Sequence, residues 1–366
     1  QAEFRHNVIT HHCEIRWTEE AGFLPLTDRD VNTLWGRLNK TVGRVYLTDI
    51  YNVIHSEFVP LFNPFQSYFD HLPSWDGVSD PIGDLADTVH VKSDQAEFRD
   101  YFRKWFVGIL PALLDDTVVN HEILVLIGEQ GLYKTTWFNF LLPPELRCYF
   151  YTKTNSDRLN KDLFSLTEFA LICFEELDGM RPAELNQLKA MVTMPYVNER
   201  AAYGRNKERH PHIASFCGTG NNVQFLTDPT GNRRWLPFEV SQIRDPHLHA
   251  IPYELVYSQA YALWKSGFCH WFSQEEIRKL NMHNSRFEVP NLEEDLIRTH
   301  FRKPFEGEAG IFVTAADILE QISSCLRYPL SPNKIGRIMA GLEFESIRYK
   351  GKRGYIAVKK TGEDID

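Results

Sequence analysis

The chain has 366 residues, of which 43% are hydrophobic and 13% aromatic, which excludes a disordered protein. A formal net charge of -9 at pH 7 excludes a protein coated with basic residues but leaves room for local cationic clusters. The six cysteines form no C-x-x-C pair, and no run of about 18 apolar residues is present, so we expect neither a zinc site nor a membrane span, and a cytoplasmic location. Because the first residue is Gln1 rather than Met, we expect a fragment of a longer polypeptide.

Residues 1–115 are predicted to form a mainly helical N-terminal region. Residues 4–17 have the pattern of extended chain, and a helix capped by its first residue is predicted over residues 28–38. A second helix is predicted over residues 48–58. Between residues 96 and 114, apolar side chains recur every three to four positions, which predicts an amphipathic helix with one buried face.

From residue 121 onwards, strand and helix patterns alternate, which is typical of a parallel sheet with crossover helices. We therefore predict an α/β core over residues 116–275. Its strands are predicted at residues 123–127, 148–151, 170–174, 213–217 and 235–240. Its helices are predicted from residue 134 up to Pro143, at 157–166, at 182–192 and after Pro252, where the last helix can cover the sheet as a lid.

Residues 276–366 are predicted to be a linker followed by a small C-terminal domain. Charged, proline-containing sequence over residues 275–310 indicates a boundary. Beyond it, helices are predicted at 315–326 and 331–342, and strands at 344–349 and 355–358. The turn that joins the two strands is basic, with the sequence Lys350-Gly351-Lys352-Arg353-Gly354. Two helices and a basic hairpin follow the order of a winged-helix module, so Lys350, Lys352 and Arg353 are candidate contacts to duplex DNA.

A glycine-containing loop lies between the apolar strand 123–127 and the following helix. Its sequence is Gly128-Glu129-Gln130-Gly131-Leu132-Tyr133-Lys134-Thr135-Thr136. Backbone N–H groups of such a loop converge on phosphate oxygens at a helix N-terminus, the lysine neutralises the terminal phosphates, and the threonine hydroxyl ligates magnesium. We therefore predict an ATP and Mg²⁺ site over these nine residues. Tyr133 occupies a position where the usual loop has glycine, so its backbone must reach the required conformation with a bulky side chain.

Two carboxylates follow a second apolar strand, about 40 residues after the lysine. A nucleotide hydrolase needs one acid near the magnesium ion and another to polarise the attacking water. We assign Glu175 to the magnesium ion and Glu176 to the water, with Asp178 as an alternative magnesium ligand.

Three further polar residues complete the predicted hydrolysis site. Asn221 follows another apolar strand, which we expect to lie between the other two strands, so that the amide can orient the water; Asn222 is the alternative. Arg233 and Arg234 sit on a glycine turn, and such arginines stabilise charge on a transferring phosphoryl group, often from a neighbouring subunit.

These motifs together resemble the virulence-associated protein E family. The resemblance is carried by the phosphate loop and by Glu176-Leu177-Asp178-Gly179, Tyr203-Gly204-Arg205, Gly218-Thr219-Gly220-Asn221 and Asp228-Pro229-Thr230-Gly231-Asn232-Arg233-Arg234. Proteins of that family are similar to superfamily 3 helicases, a branch of the AAA+ ATPases found in phages, plasmids and genomic islands.

The resemblance implies a hexameric or other ring-forming homo-oligomer that translocates on single-stranded DNA and is sometimes coupled to an upstream primase. It also implies a DNA-contacting hairpin just before the strand that leads to Asn221. Arg205, Lys207 and Arg209 are the cations expected on that hairpin, since a polyanion backbone is held by such charges.

Two other functions remain open. One is a nucleotide-gated switch or replication initiator whose C-terminal domain binds duplex DNA without unwinding it, through the basic turn and the helix carrying Lys334 and Arg337. The other is a kinase for a small metabolite, which the combination of Asn221 with the two arginines disfavours because it serves water activation.

Overall fold

The computed structural model describes residues 2–18, 22–154, 163–199, 208–227, 232–290, 292–305, 307–323 and 331–360. The chain divides into two compact units, Gln1–Glu288 and Val289–Asp366. The finer division of the sequence at residues 115 and 275 stays a prediction.

Helices and strands follow one another along the described residues. The strands are β1 (Ala2–Asn7), β2 (His12–Trp17), β3 (Leu24–Pro25), β4 (Leu61–Phe62), β5 (Val89–Val91), β6 (Ile123–Ile127), β7 (Phe150–Lys153), β8 (Leu171–Phe174), β9 (Tyr196–Glu199), β10 (Glu208–Pro211), β11 (Ser215–Gly220), β12 (Trp235–Ile243), β13 (Phe301–Arg302), β14 (Ile311–Val313), β15 (Ser346–Tyr349) and β16 (Lys352–Lys359). The helices are α1 (Asp28–Thr41), α2 (Leu47–Ile54), α3 (Pro64–Asp70), α4 (Pro81–Ala86), α5 (Gln95–Leu114), α6 (Lys134–Leu141), α7 (Ser165–Glu168), α8 (Pro182–Val192), α9 (Tyr253–Lys265), α10 (Gln274–Asn284), α11 (Leu292–His300), α12 (Ala315–Ser323) and α13 (Pro332–Gly341).

A six-stranded sheet forms the centre of the first unit, in the order β5-β12-β6-β11-β8-β7. Strands β12, β6, β11, β8 and β7 run parallel, and β5 pairs antiparallel with β12. The predicted mixed α/β class with a parallel sheet is confirmed. The position expected for the strand before Asn221 is also confirmed, because β11 lies between β6 and β8.

Helices cover both faces of this sheet. On one face, Leu124 and Leu126 pack in a cluster with apolar residues of α5, α6 and α9. On the other face, Ile123, Val125 and Ile127 pack with α8. All five side chains of β6 are 0% exposed, which explains why its sequence is a continuous apolar run rather than an alternating one.

Helix α5 is buried more fully than the sequence predicts. One buried face was expected, but every residue from Trp105 to Leu113 is buried. The reason is its position between layers, since α5 contacts β6 on one side and α4 and α9 on the other. Helix α9 thus packs in the core of the first unit, and its role as a lid stays a prediction.

The N-terminal part of the first unit combines helices with a four-stranded sheet in the order β3-β2-β1-β4. The extended chain predicted over residues 4–17 corresponds to the antiparallel pair β1 and β2. The predicted cap of α1 is wrong by one residue. Thr27 is the cap, because its hydroxyl accepts a hydrogen bond from the Asp30 N–H while the Asp30 carboxylate accepts one from the Thr27 N–H. The second predicted helix ends at Ile54 rather than at residue 58.

Two element boundaries in the core also differ from the predictions. Arg147–Tyr149 forms a 3-10 turn, so the strand predicted from residue 148 begins only at Phe150. Most of the helix predicted over residues 157–166 lies outside the described residues. Helices α6 and α8 begin at the predicted positions, Lys134 and Pro182.

The sequence around residues 275–310 is more ordered than a linker. Helix α10 belongs to the first unit, where Asn284 donates hydrogen bonds to the backbone carbonyls of Asn232 and Trp235 at 2.8 and 3.0 Å. Helix α11 opens the second unit. The segment predicted as a boundary therefore contains two helices, and the division between the two units lies within it, after Glu288.

The second unit contains α11 to α13 and a four-stranded antiparallel sheet centred on β16. The predicted basic turn is shorter than expected. Lys350 and Gly351 alone form it, with φ angles of 47° and 77°, and Lys352 and Arg353 belong to β16. Two positive φ angles are the signature of a tight hairpin turn whose twist matches that of the strands. The winged-helix assignment stays a prediction.

Among the described residues, no helix combines the length and the apolar character that crossing a membrane requires.

Candidate functional site

The loop between β6 and α6 has backbone features that only glycine accommodates easily. A Cβ atom on Gly128 would lie 2.9 Å from the Val240 carbonyl oxygen, which is too close for a real contact. Gly131 has a φ angle of 84°, in the left-handed region. Four other residues of the predicted nucleotide site lie in the loop or in the first turn of α6: Glu129, Gln130, Leu132 and Thr136.

Tyr133 has the strained conformation that the sequence predicts. It caps α6 with φ 58° and ψ 17°, a left-handed backbone that a bulky residue rarely adopts. Its side chain is 41% exposed. The tyrosine therefore occupies the glycine position of the usual loop without a change in backbone direction.

Lys134 folds back over the loop that precedes it. Its ammonium donates hydrogen bonds of 2.7 Å to the carbonyls of both Gly128 and Glu129, and lies 3.4 Å from the Asn221 side-chain oxygen. The side chain is only 8% exposed. Burial lowers the pKa of Lys134, and the nearby Asp178 carboxylate opposes that shift.

Thr135 and Glu175 meet at the carboxyl edge of the sheet. The Thr135 hydroxyl donates a 2.8 Å hydrogen bond to the Glu175 carboxylate. The Glu175 backbone is fixed in turn by a 2.9 Å hydrogen bond from its N–H to the Lys153 carbonyl. A hydroxyl and a carboxylate are oxygen ligands that magnesium accepts, so this pair fits the ion predicted for it.

Glu176 follows directly in the left-handed region, with φ 54°, and its side chain is exposed. Strained backbone of this kind often marks a functional position. Glu175 is half-buried beside Thr135 and Glu176 is exposed, so separate tasks for the two carboxylates stay a prediction.

Asp178 contacts the loop after β11, and its role as an alternative magnesium ligand stays a prediction. Its carboxylate accepts hydrogen bonds from the backbone N–H groups of Asn221 and Asn222, at 3.2 and 3.1 Å. A Cβ atom on Gly220 would lie 3.0 Å from the same carboxylate. Asp178 therefore holds the loop after β11. This contact was missed from the sequence. The available signal was the position of Asp178, three residues after Glu175, which places it near the site.

The two arginines lie elsewhere. Because β12 runs parallel to β6 with Trp235 opposite Ile123, Arg233 and Arg234 precede the strand at the amino edge of the sheet. The phosphate loop follows β6 at the carboxyl edge, which is the opposite edge of the sheet. Five strand residues at about 3.3 Å each separate the two edges by roughly 16 Å. The structure thus brings Lys134, Thr135, Glu175 and Asn221 together within one chain but leaves the arginines outside that group.

The arginines face two titratable groups that precede β6. Burial raises the pKa of Glu122 to about 7, and Arg234 opposes that shift. Burial also lowers the pKa of His121, and both arginines lower it further. Arg233 is exposed, so its guanidinium is available at the surface of the first unit.

The predicted DNA-contacting hairpin is present as β9 and β10. Arg205 and Lys207 lie outside the described residues. The Arg209 guanidinium stacks over the Tyr196 ring, 3.6 Å from its centroid, a cation–π contact across the two strands.

The basic hairpin of the second unit presents its cations to solvent. Lys350, Lys352 and Arg353 are all exposed. Arg353 stands directly opposite Arg348 in the ladder and donates a 3.1 Å hydrogen bond to the Ser346 hydroxyl. Like charges directly opposite each other destabilise a strand pair, so an anion would stabilise this one.

Comparisons with known proteins support the family resemblance. Two solved structures are similar to the chain, "The apo structure of NrS-1 C terminal region (305-718)" and "The A form apo structure of NrS-1 C terminal region-CTR(305-718)". Both have 12% identity over 98% of this chain and 96% of theirs, with TM-scores of 0.49 and 0.48, too distant to define the fold. No curated protein matches the sequence. A family model described as "Virulence-associated protein E-like domain" matches residues 70–289, which is more than half of the chain and includes the phosphate loop, Glu175, Asn221 and both arginines. The chain therefore belongs to the virulence-associated protein E-like family.

Proposed function

We propose that this protein binds Mg-ATP at the carboxyl edge of its central sheet and hydrolyses it to move along or unwind DNA, as superfamily 3 helicases do. One observation carries the proposal. Lys134 lies within hydrogen-bond distance of the Asn221 side chain, and Thr135 donates a hydrogen bond to Glu175. These residues follow three adjacent parallel strands, β6, β11 and β8, at the same edge of the sheet.

Each residue has a task in this proposal. Lys134 neutralises the terminal phosphates, and Thr135 and Glu175 hold the magnesium ion, which when bound offsets the charge that develops during phosphoryl transfer. Glu176 polarises the attacking water and Asn221 orients it. The remaining loop residues, from Gly128 to Thr136, offer backbone N–H groups to the phosphates.

The order of the sheet supports an AAA+ type core. The strand before the phosphate loop and the strand before Glu175 are separated by β11, so the Asn221 side chain projects between them. This is the arrangement in which one amide reaches both the terminal phosphate and the attacking water.

The remote arginines support assembly into a ring, with a hexamer as the expected form. Arg233 and Arg234 lie at the edge of the sheet roughly 16 Å from the edge where their own chain would bind the phosphates. On the surface of the unit they are free to meet the nucleotide of a neighbouring copy, where they would stabilise transferring charge.

Single-stranded DNA is the proposed track of the motor. Hairpin β9–β10 leads directly into β11, so a force on the hairpin reaches Asn221 through one continuous stretch of chain. Arg205, Lys207 and Arg209 are the proposed contacts to the DNA backbone. The proposed role of the motor is the replication of a mobile genetic element in the cytoplasm. A primase would lie upstream in the same polypeptide or in a separate chain.

The test is ATP turnover with and without single-stranded DNA. We expect the DNA to raise the turnover rate several-fold at low salt, and Arg209→Ala to reduce that stimulation while leaving the basal rate unchanged. A rate that no DNA of any kind alters would contradict the motor.

A second function is favoured by the composition of the second unit. Residues 331–360 contain eight lysines and arginines and only two acidic residues, in a chain whose net charge is -9. A winged-helix-like domain that binds duplex DNA, switched by nucleotide and without unwinding, fits this cluster. Two results would favour the switch over the motor. The chain should bind duplex DNA in a salt-dependent way that Lys352→Ala and Arg353→Ala weaken, and it should not unwind the duplex.

A further inference from the structure

One cavity of the first unit is lined by residues that take no part in the phosphate site. Its volume is about 790 Å³, which lies within the roughly 300–1,000 Å³ of small-molecule sites. Its lining comes from β1, β2, β4 and α3, from the segment before β7, from the end of α7 and from the first turn of α9.

One wall of the cavity already holds a guanidinium. Arg5 lies between two aromatic rings, 3.5 Å from the centroid of Phe62 and 4.2 Å from that of Phe23. Its Nε donates a 2.5 Å hydrogen bond to Glu14, which neutralises its charge. The aromatic wall is therefore adapted to cations, and Arg5 itself adds no net positive charge.

The lining also contains carboxylates without cationic partners among the described residues. Glu145 and Glu254 both line the cavity, and within the described part of the chain neither has an ion pair. The Tyr68 hydroxyl, on α3, is buried and has no hydrogen-bond partner in the part of the chain that the structure describes. Burial, followed by the charges of Glu145 and Glu254, raises the pKa of Tyr68. The phenol is thus close to both carboxylates and has an acceptor oxygen to offer.

The charge of the cavity selects among ligand classes. Among the described residues, Arg5 is the one arginine or lysine of its lining, whereas Glu14, Glu145 and Glu254 all contribute carboxylates. With Arg5 balanced by Glu14, the cavity is negative, so a nucleotide or other polyanion would be repelled. A cation that donates hydrogen bonds to both carboxylates and to the phenol oxygen would relieve their repulsion and satisfy Tyr68.

We propose that this cavity binds an organic cation, with an ammonium or guanidinium head held by Glu145, Glu254 and Tyr68 and an apolar stem lying against the aromatic wall. The source of that cation is either a free polyamine or the side chain of a lysine or arginine in a peptide. The site is separate from the nucleotide site, so the proposal does not depend on ATP hydrolysis.

The experiment is calorimetric titration of the full chain at physiological salt, with spermidine in one arm and a blocked Gly-Lys-Gly tripeptide in the other. We expect saturable binding of at least one of the two. The double variant Glu145→Gln/Glu254→Gln should weaken it at least tenfold. Tyr68→Phe should weaken it less, without loss of thermal stability. The matched control is Glu275→Gln/Glu343→Gln, which removes two charges from exposed sites outside the cavity and should leave the affinity unchanged.

Three results would overturn the proposal. Binding of neither probe would refute the site, and binding that the double variant and the control weaken equally would show only nonspecific attraction to an acidic protein. Tighter binding of Mg²⁺ than of either organic probe, lost in the double variant, would assign the carboxylates to an inorganic ion. The unfolding temperature of each variant shows whether weaker binding comes from a folding defect or from the loss of contacts to the probe.

Discussion

The Asp178 carboxylate accepts a 3.2 Å hydrogen bond from the Asn221 backbone N–H, and a second from the N–H of the following residue. The contact joins the turn after β8 to the turn after β11, so the two sides of the candidate site cannot move independently. It also keeps a negative charge close to the Lys134 ammonium. Asp178 thus positions the residues that we expect to contact ATP, without needing to contact it itself.

Replacing Asp178 tests this positioning role. Asp178→Ala removes both acceptors, so we expect kcat for ATP hydrolysis to fall by about tenfold with a smaller change in KM. Asp178→Asn keeps one side-chain oxygen and should recover part of the loss. Steady-state kinetics over a range of ATP concentrations measures the split. A rise in KM alone, with kcat unchanged, would instead place Asp178 in direct contact with the nucleotide or its metal ion.

Tyr133 provides a test of backbone strain in the loop. Its left-handed conformation costs a β-branched residue more than tyrosine, so Tyr133→Val should lower the free energy of unfolding by about 1 kcal/mol. Tyr133→Gly removes the strain. The glycine variant should unfold at a urea concentration at least as high as that which unfolds the wild type, and its rate of ATP turnover should be at least as high. Equal stability of the valine and glycine variants would contradict the strained cap.

A buried histidine next to β11 makes stability depend on pH. His212 is hydrogen-bonded through Nδ1 to the Met194 carbonyl at 2.6 Å, and burial lowers its pKa to about 4. A base with a lowered pKa in the folded state is neutral there while the unfolded chain takes up a proton. The contribution of neutral His212 to the free energy of unfolding is therefore present above about pH 6.5. It is lost as the pH falls towards 4, at up to about 1.4 kcal/mol per pH unit.

Urea unfolding at several pH values between 4 and 7 measures this dependence. His212→Gln keeps a donor for the Met194 carbonyl but cannot titrate, so the difference in unfolding free energy between wild type and variant should shrink as the pH falls. A difference that is constant across this range would show that His212 binds the same number of protons in the folded and unfolded states, which would contradict a lowered pKa.

Mixing two inactive variants tests whether Arg233 acts on a neighbouring copy. We expect Lys134→Ala to lack a working phosphate loop and Arg233→Ala to lack the stabilising cation, so each alone should hydrolyse ATP slowly. In a mixed ring, the intact loop of one copy meets the intact arginine of the other. Turnover by the mixture should exceed the sum of the separate rates. No gain at any mixing ratio, in preparations whose mass shows mixed assembly, would refute a shared site.

Local features of the site could be predicted because they depend on neighbouring residues in the sequence. The strand before Gly128, the helix from Lys134 and the strained backbone of Tyr133 follow from apolar runs, turn chemistry and helix signals over about ten residues. The place of Asn221 between two strands followed from the pattern of a parallel sheet.

Features that depend on distant contacts were missed. Helix α10 is stabilised by the amide of Asn284 on the carbonyls of Asn232 and Trp235, some 50 residues earlier in the chain, which local sequence patterns do not reveal. The burial of α5 on all sides depends on two layers that pack against it. The position of Arg233 at the far edge follows only once the strand that begins at Trp235 is known to run parallel to β6.

The most direct test of the central claim is the affinity for a fluorescent ATP analogue in the presence of Mg²⁺, measured for the wild type and for Lys134→Ala. Lys279→Ala, which removes an exposed lysine on α10, is the matched control. If Lys134 holds the terminal phosphates, its variant should bind at least about tenfold more weakly, a loss of about 1.4 kcal/mol or more, while the control binds as the wild type does. Equal affinity of all three proteins, or binding by none of them, would contradict a nucleotide site at this edge of the sheet.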